Sequence, residues 1–436
     1  MLRGMRGFTM LWFGQLVSEL GSAMTRFAFV IWVWQMTGAA TDLALLTLFG
    51  AVPSALVSLF AGSLVDRSSR KRMIILGNLG LALPTGMLLM LLLNGSLQVW
   101  HLYAAAAVGG VFDPVQSLAF QVSITTTVPK AQYNRANGMM SLNEYVSLIG
   151  APLLAGLLLS LVGIEPILII DMLTFFVAII AVLFVRIPAP LPQTAADDQR
   201  HSIGTDVTFG FRYILQRPLL RGLLLLTVAF GFFEALGYPL LAPMILARTG
   251  SSEAILGIVQ SVMGLSGLVG GLVVTFWGGA KRKTYAILIG ILLTGLFGDA
   301  LMGLGRSLVI WLVAGVFIEC FLPLVLSSMQ ALWQSKVPPA AQGRVFAVRR
   351  LINSIIEPLS LILAGLLADH VFEPGMQPNG ALAPIFGGVV GTGIGSGMAL
   401  LLIICGVLCA LTSLWGYAAP NIRDGEALFP DDVPNI

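Results

Sequence analysis

The feature that most constrains this chain is a succession of twelve apolar runs, each long enough to cross a bilayer as a helix, with the charges collected between them. Such a helix needs about 20 mostly apolar residues, because lipid offers backbone N–H and C=O groups no partners and only a helix satisfies them within one segment. The runs occupy 8–36, 42–65, 73–94, 98–121, 139–163 and 166–186, then 219–247, 253–278, 284–305, 307–334, 346–369 and 385–418. Six runs, a polar break and six more give an all-α membrane protein of two six-helix bundles. Only 10% of the 436 residues are charged and the mean hydropathy is +0.91. Soluble domains carry about a quarter charged residues, so a water-soluble fold of this length has too few charges to cover its surface.

Arg3 and Arg6 precede the first run as they would in a signal peptide. The run continues from Phe8 to Met36 and carries no small-residue cleavage site, so it reads as the first span. The expected organisation is a bundle at 1–186, a linker at 187–218, a second bundle at 219–418 and a tail at 419–436. The linker opens with the polar, Pro-rich stretch 187–201. It then places Val207, Phe211, Ile214 and Leu215 at helical spacing, as in an amphipathic helix lying on a membrane surface.

Basic residues orient the spans. With the N-terminus inside, the inner loops, linker and tail collect 21 of the 24 Lys and Arg residues, leaving Arg26, Arg248 and Arg306 elsewhere. This asymmetry and the even span count put both termini in the cytoplasm. A net charge of +3 spread over loops gives no basic patch for nucleic acid. Cys320, Cys405 and Cys409 lie in apolar runs without a ligand-like spacing and read as packing residues, so no metal is expected.

The halves repeat at an offset of 209 residues. Val128, Pro129, Ala131, Arg135, Leu142, Ala155, Gly156, Leu157 and Leu158 meet identical residues in the segment that starts at Val337, with Arg135 matched by Arg344. Both copies sit at the start of the fifth span of their half, the signature of a duplicated transporter bundle.

The loop between spans 2 and 3, GSLVDRSSRKRM, sets Gly62, a small residue that lets a helix approach, beside Asp66, Arg67, Arg70, Lys71 and Arg72. A carboxylate among guanidinium groups can make and break a charge-assisted latch. Gly62, Leu64, Asp66, Arg67, Arg70 and Lys71 resemble the loop motif of the major facilitator superfamily, with Ser69 in place of its second Gly. The matching loop of the second half keeps its glycines and basic residues but has no Asp, which makes the expected latch asymmetric. The segments LWFGQLVSELGSAMTRFAF, IIDMLTFFVAIIAVLFVRIP and QGRVFAVRRLI are similar to the branch that contains macrolide efflux proteins, with enterobactin exporters and lysophospholipid transporters further off.

That resemblance implies the major facilitator fold, a location in the bacterial inner membrane and a cavity built from spans 1, 4, 7 and 10. Ionisable residues inside spans are costly and usually functional. Glu19, Arg26, Asp113, Glu234 and Glu319 fall on those four spans, and Glu357 lies in span 11. Glu19, Glu234 and Glu319 lead as proton carriers. Asp171, Asp299 and Glu144 are further in-span acids open to the same role, with competing readings of a helix cap for Asp171, a hydrated place near the outer surface for Asp299 and a pairing with Arg349 or Arg350 for Glu144. Trp32, Trp34, Phe230, Phe232, Phe233 and Trp311 are candidates to line a cavity, and Ile149–Pro152 with Gly156 resembles a degenerate exporter motif in span 5.

The expected function is export of a small amphiphilic compound by a monomer in the lipid bilayer, driven by the proton gradient without a bound cofactor. A siderophore exporter, a lysophospholipid transporter and a membrane sensor are the alternatives. The chain contains no HExxH, no Ser/His/Asp clustering and no Gly-Lys phosphate loop, which argues against an enzyme or an ATPase.

Overall fold

The computed structural model describes residues 5–129, 132–185 and 203–428, and these form helices and turns with no β-strand. Six long helices build the first half: α1 (Arg6–Thr37), α2 (Ala40–Arg67), α3 (Arg70–Leu93), α4 (Val99–Thr127), α5 (Tyr133–Val162) and α6 (Glu165–Phe184). Helix α7 (Ile203–Gln216) precedes the second half. There α8 (Pro218–Gly237) passes through one 3₁₀ turn into α9 (Leu241–Arg248), and α10 (Glu253–Trp277) follows. Next come α11 (Lys283–Leu293), a π-helical turn (Thr294–Ala300), α12 (Leu301–Leu304) and α13 (Leu308–Lys336). Then α14 (Pro339–Leu367) runs through a second π turn (Ala368–Phe372) into α15 (Glu373–Gly375). The chain closes with α16 (Ala383–Val390), α17 (Ser396–Ala418), α18 (Pro420–Arg423) and α19 (Gly425–Leu428).

Eleven of these stretches are long and apolar enough to cross a membrane. Helix α4, 29 residues long, fills the remaining place with a more polar sequence that includes His101, Asp113 and Gln116. The helices leave large apolar side chains uncovered, Phe276 at 87% exposure among them. Water makes such a surface costly and lipid does not.

The twelfth expected run, 385–418, is corrected. It is broken between α16 and α17 by Gly391, Gly393 and Gly395, at φ of 84°, 100° and 83°, backbone that glycine alone adopts freely. Glu373 accepts hydrogen bonds from the amides of Gly395 (3.1 Å) and Met398 (2.8 Å) and so caps the new start of α17.

The chain divides into two compact units, Met1–Thr194 with Thr249–Ser261, and Ala195–Arg248 with Val262–Ile436. In the first, α1 packs on α5 and α6, α2 and α3 on α4, and α3 on α6. In the second, α8 packs on α14 and α17, α11 on α13 and α17. At the 209-residue offset α1, α3, α4 and α5 fall on α8, α11, α13 and α14, and the pairs α1–α5 and α3–α4 recur as α8–α14 and α11–α13. The first unit takes in the start of α10, where Gly257 meets the Pro152 carbonyl and Gly156 of α5 with no room for a Cβ. Gly156 therefore serves a close helix contact.

The four residues of the expected apolar stripe fall on α7. Ile214 is buried, whereas Phe211 and Leu215 are exposed, and the side chain of Val207 lies outside those described.

Candidate functional site

Each unit carries a cluster of ionisable side chains on its long helices. In the first, Glu19 and Arg26 lie seven residues apart on α1, about two turns, so both project from one face. Arg26 Nη2 donates to Glu19 Oε1 at 2.8 Å, with the side chains 61% and 42% exposed. Asp113 of α4 and Asp171 of α6 both lie within electrostatic range of Arg26. Three carboxylates thus share one guanidinium. Gly21 lets α6 come close to α1: a Cβ there would meet Thr174 Oγ1 at 2.5 Å and Asp171 Oδ1 at 3.2 Å. The approach brings Ser22 Oγ to donate to Asp171 Oδ1 at 3.1 Å.

Asp171 is not the helix cap expected of it. Helix α6 begins at Glu165, and Asp171 sits beyond the first turn with 1% exposure. A further polar link went unread: Gln116 of α4 donates to Gln15 of α1, both buried.

In the second unit Glu234 (α8), Asp299 (first π turn) and Glu319 (α13) are mutual electrostatic neighbours. Asp299 is 3% exposed, which corrects its reading as a hydrated surface residue. One ligand atom each from Glu234, Asp299 and Cys409 lie within 4.8 Å of one another, the one such group among the described residues. Glu357 is exposed on α14 and joins neither cluster. Of the aromatic candidates, Trp34, Phe230 and Trp311 are buried.

Lys71 Nζ donates to the carbonyls of Leu183 (2.8 Å) and Val185 (3.0 Å), satisfying the free end of α6. Arg70 is turned inward, its Nε and Nη1 buried without a hydrogen bond among the described residues, and Arg72 is exposed. The side chains at Gly62, Asp66, Arg67, Arg135 and Glu144 lie outside those described. In the second half the carboxylate missing from the loop comes from the tail. Glu426 accepts from the Thr284 amide at 2.9 Å and lies 3.9 Å from Lys283, while Lys336 Nζ reaches the Glu426 carbonyl at 3.3 Å. Arg344 stacks on the Phe209 ring of α7 at 3.8 Å, and Arg349 lies over Trp333 and bonds Gln330.

Two of the three basic residues that departed from the loop pattern close helix ends as well. Arg248 donates to the carbonyls of Gly303 (3.0 Å), Gly305 (2.7 Å) and Val390 (2.9 Å), and Arg306 to Val389 (3.0 Å).

Long apolar helices repeated in two halves, with ionisable side chains held inside each, define a multi-pass membrane transporter rather than an enzyme. The chain belongs to the Major Facilitator Superfamily, whose family model matches residues 11–360. It is 27% identical over 367 residues to macrolide efflux protein A of Streptococcus pyogenes, covering 84% of this chain and 90% of that one. It is 25% identical over 369 residues to the multidrug efflux pump Tap of Mycolicibacterium fortuitum, covering 82% and 88%. Its fold is similar to a bacterial homolog of the human lysosomal transporter Spinster, with a TM-score of 0.65, 17% identity and coverage of 94% and 97%.

Proposed function

We propose that this transporter exports small cationic or neutral amphiphilic compounds, of the macrolide or natural-product kind, from a bacterial cytoplasm by proton antiport. It works as a monomer in the inner membrane with both termini cytoplasmic. The observation that carries the reading is the Glu19–Arg26 pair with Asp113 and Asp171 around it. Three carboxylates around one arginine, all on spans, leave negative charge that a proton or a cationic substrate neutralises. Glu19 and Asp113, the more open of the three, exchange the proton, while Asp171 holds the cluster in register through Ser22. A substrate cation and a proton then compete for the same charge, which is the requirement for antiport. Alternating access exposes that charge first to one side and then to the other. The relatives' names, macrolide and multidrug efflux, support the direction and the substrate class. Glu319 sits one helical turn from the repeat equivalent of Asp113, so the second unit carries an acid at a corresponding level of its own bundle.

Proteoliposomes with an imposed pH gradient, tested against macrolides, siderophores and lysophospholipids, examine this directly. Macrolide accumulation that follows the gradient is expected. Movement of lysophospholipid alone, or movement indifferent to the gradient, contradicts it.

A further inference from the structure

We infer that the second unit holds a binding site for a borderline divalent cation of the Zn²⁺ type, with Glu234, Asp299 and Cys409 as its protein ligands. The three residues come from α8, the first π turn and α17, and their ligand atoms lie within 4.8 Å of one another. Ligand atoms around one Zn²⁺ stand roughly 3–4 Å apart, given metal–ligand distances of about 2.0–2.3 Å. Small side-chain rotations close the difference.

The second observation is what these ligands lack. Asp299 is 3% exposed, yet its Oδ2 has no hydrogen-bond partner among the described residues, and the same holds for Glu234 Oε2. Buried polar atoms are nearly always paired, so two such oxygens in one group of side chains mark a missing partner. Among the described residues no basic side chain compensates them: the charge acting on Glu234 is that of Glu319, and those acting on Asp299 are Glu234 and Glu319. A buried group of this sign calls for a cation.

The backbone is built to bring them together. A Cβ at Gly406 of α17 would meet Asp299 Cβ at 2.9 Å, and one at Gly295 would meet Cys409 Cβ at 3.0 Å. Two glycines thus let α17 lie against the π turn, and such turns recur at functional sites because they re-aim one side chain. Donor type selects the ion. Mg²⁺ and Ca²⁺ take oxygen ligands in sets of six or more, whereas one thiolate with two carboxylates suits Zn²⁺ or Cd²⁺. Cys405 lies one turn from Cys409, where a fourth ligand would come from.

Cadmium titration of the purified full-length chain in detergent, followed by its thiolate-to-metal absorption and by metal analysis after gel filtration, tests the site without reference to transport. One ion per chain is expected. Cys409→Ser and Asp299→Asn should each weaken binding at least tenfold, and Cys320→Ser should leave it unchanged. Gel-filtration profiles matching wild type show that the variants fold. No cadmium on the wild-type chain overturns the assignment, as does equal binding by Cys409→Ser. Loss in Cys409→Ser with full binding in Asp299→Asn also overturns it, since a lone thiol then accounts for the metal.

Discussion

Arg26 Nη2 meets Glu19 Oε1 at 2.8 Å across two turns of α1, and both side chains stay largely open to their surroundings. An ion pair this exposed adds only about 0–1 kcal/mol to stability. Its place inside an apolar helix is therefore better explained by function than by folding. Glu19→Gln and Arg26→Gln should melt within about 1 kcal/mol of wild type yet lose at least tenfold in gradient-driven efflux. Thermal unfolding in detergent paired with proteoliposome transport separates the two effects, and a large stability loss would make the pair structural.

Arg248 shows the opposite balance. It closes the ends of α12 and α16 with three charge-assisted bonds of 2.7 to 3.0 Å, and a hydrogen bond to a charged group contributes about 1.5–3 kcal/mol. Because such terms are not additive, Arg248→Ala should destabilise by roughly 2–4 kcal/mol. Lys in its place recovers part of this at best, since a single ammonium cannot reach three carbonyls as a guanidinium fork does. Melting temperature is the readout.

Gly257 admits no side chain. Its Cβ would overlap the Pro152 carbonyl, and an overpacked helix contact costs about 1–3 kcal/mol. Gly257→Ala should lower the melting temperature and reduce transport, whereas Gly231→Ala, which meets open space, should do neither.

Glu426 ties the tail to α11 through the Thr284 amide and Lys283. Glu426→Ala removes a helix cap of about 1 kcal/mol, and hydrogen exchange at Thr284 should quicken while the rest of α11 keeps its protection. Unchanged exchange there would remove the cap from the account.

Much of this fold was legible because membrane helices declare themselves by length and by the absence of charge, and the 209-residue repeat fixed the halves. What was hidden depends on partners distant in sequence. No periodicity shows that Lys71 caps α6, that Glu426 supplies a carboxylate to the loop after α10, or that Cys409 faces Asp299. The break at Gly391, Gly393 and Gly395 was present as a glycine run, but the apolar residues on either side of it masked the turn. Asp171 and Asp299 stand out in the sequence as charges within spans, but their burial does not, because depth along a helix is not visible from composition.

The central claim is that substrate and proton are exchanged at the Glu19–Arg26–Asp113 cluster. The most direct measurement is proton release from proteoliposomes, followed with an internal pH dye, when a macrolide is added across a preset gradient. Wild type should move protons only in the presence of the drug, and Glu19→Gln with Asp113→Asn should abolish that movement. Drug transport in the double variant with an undiminished proton signal would contradict the account.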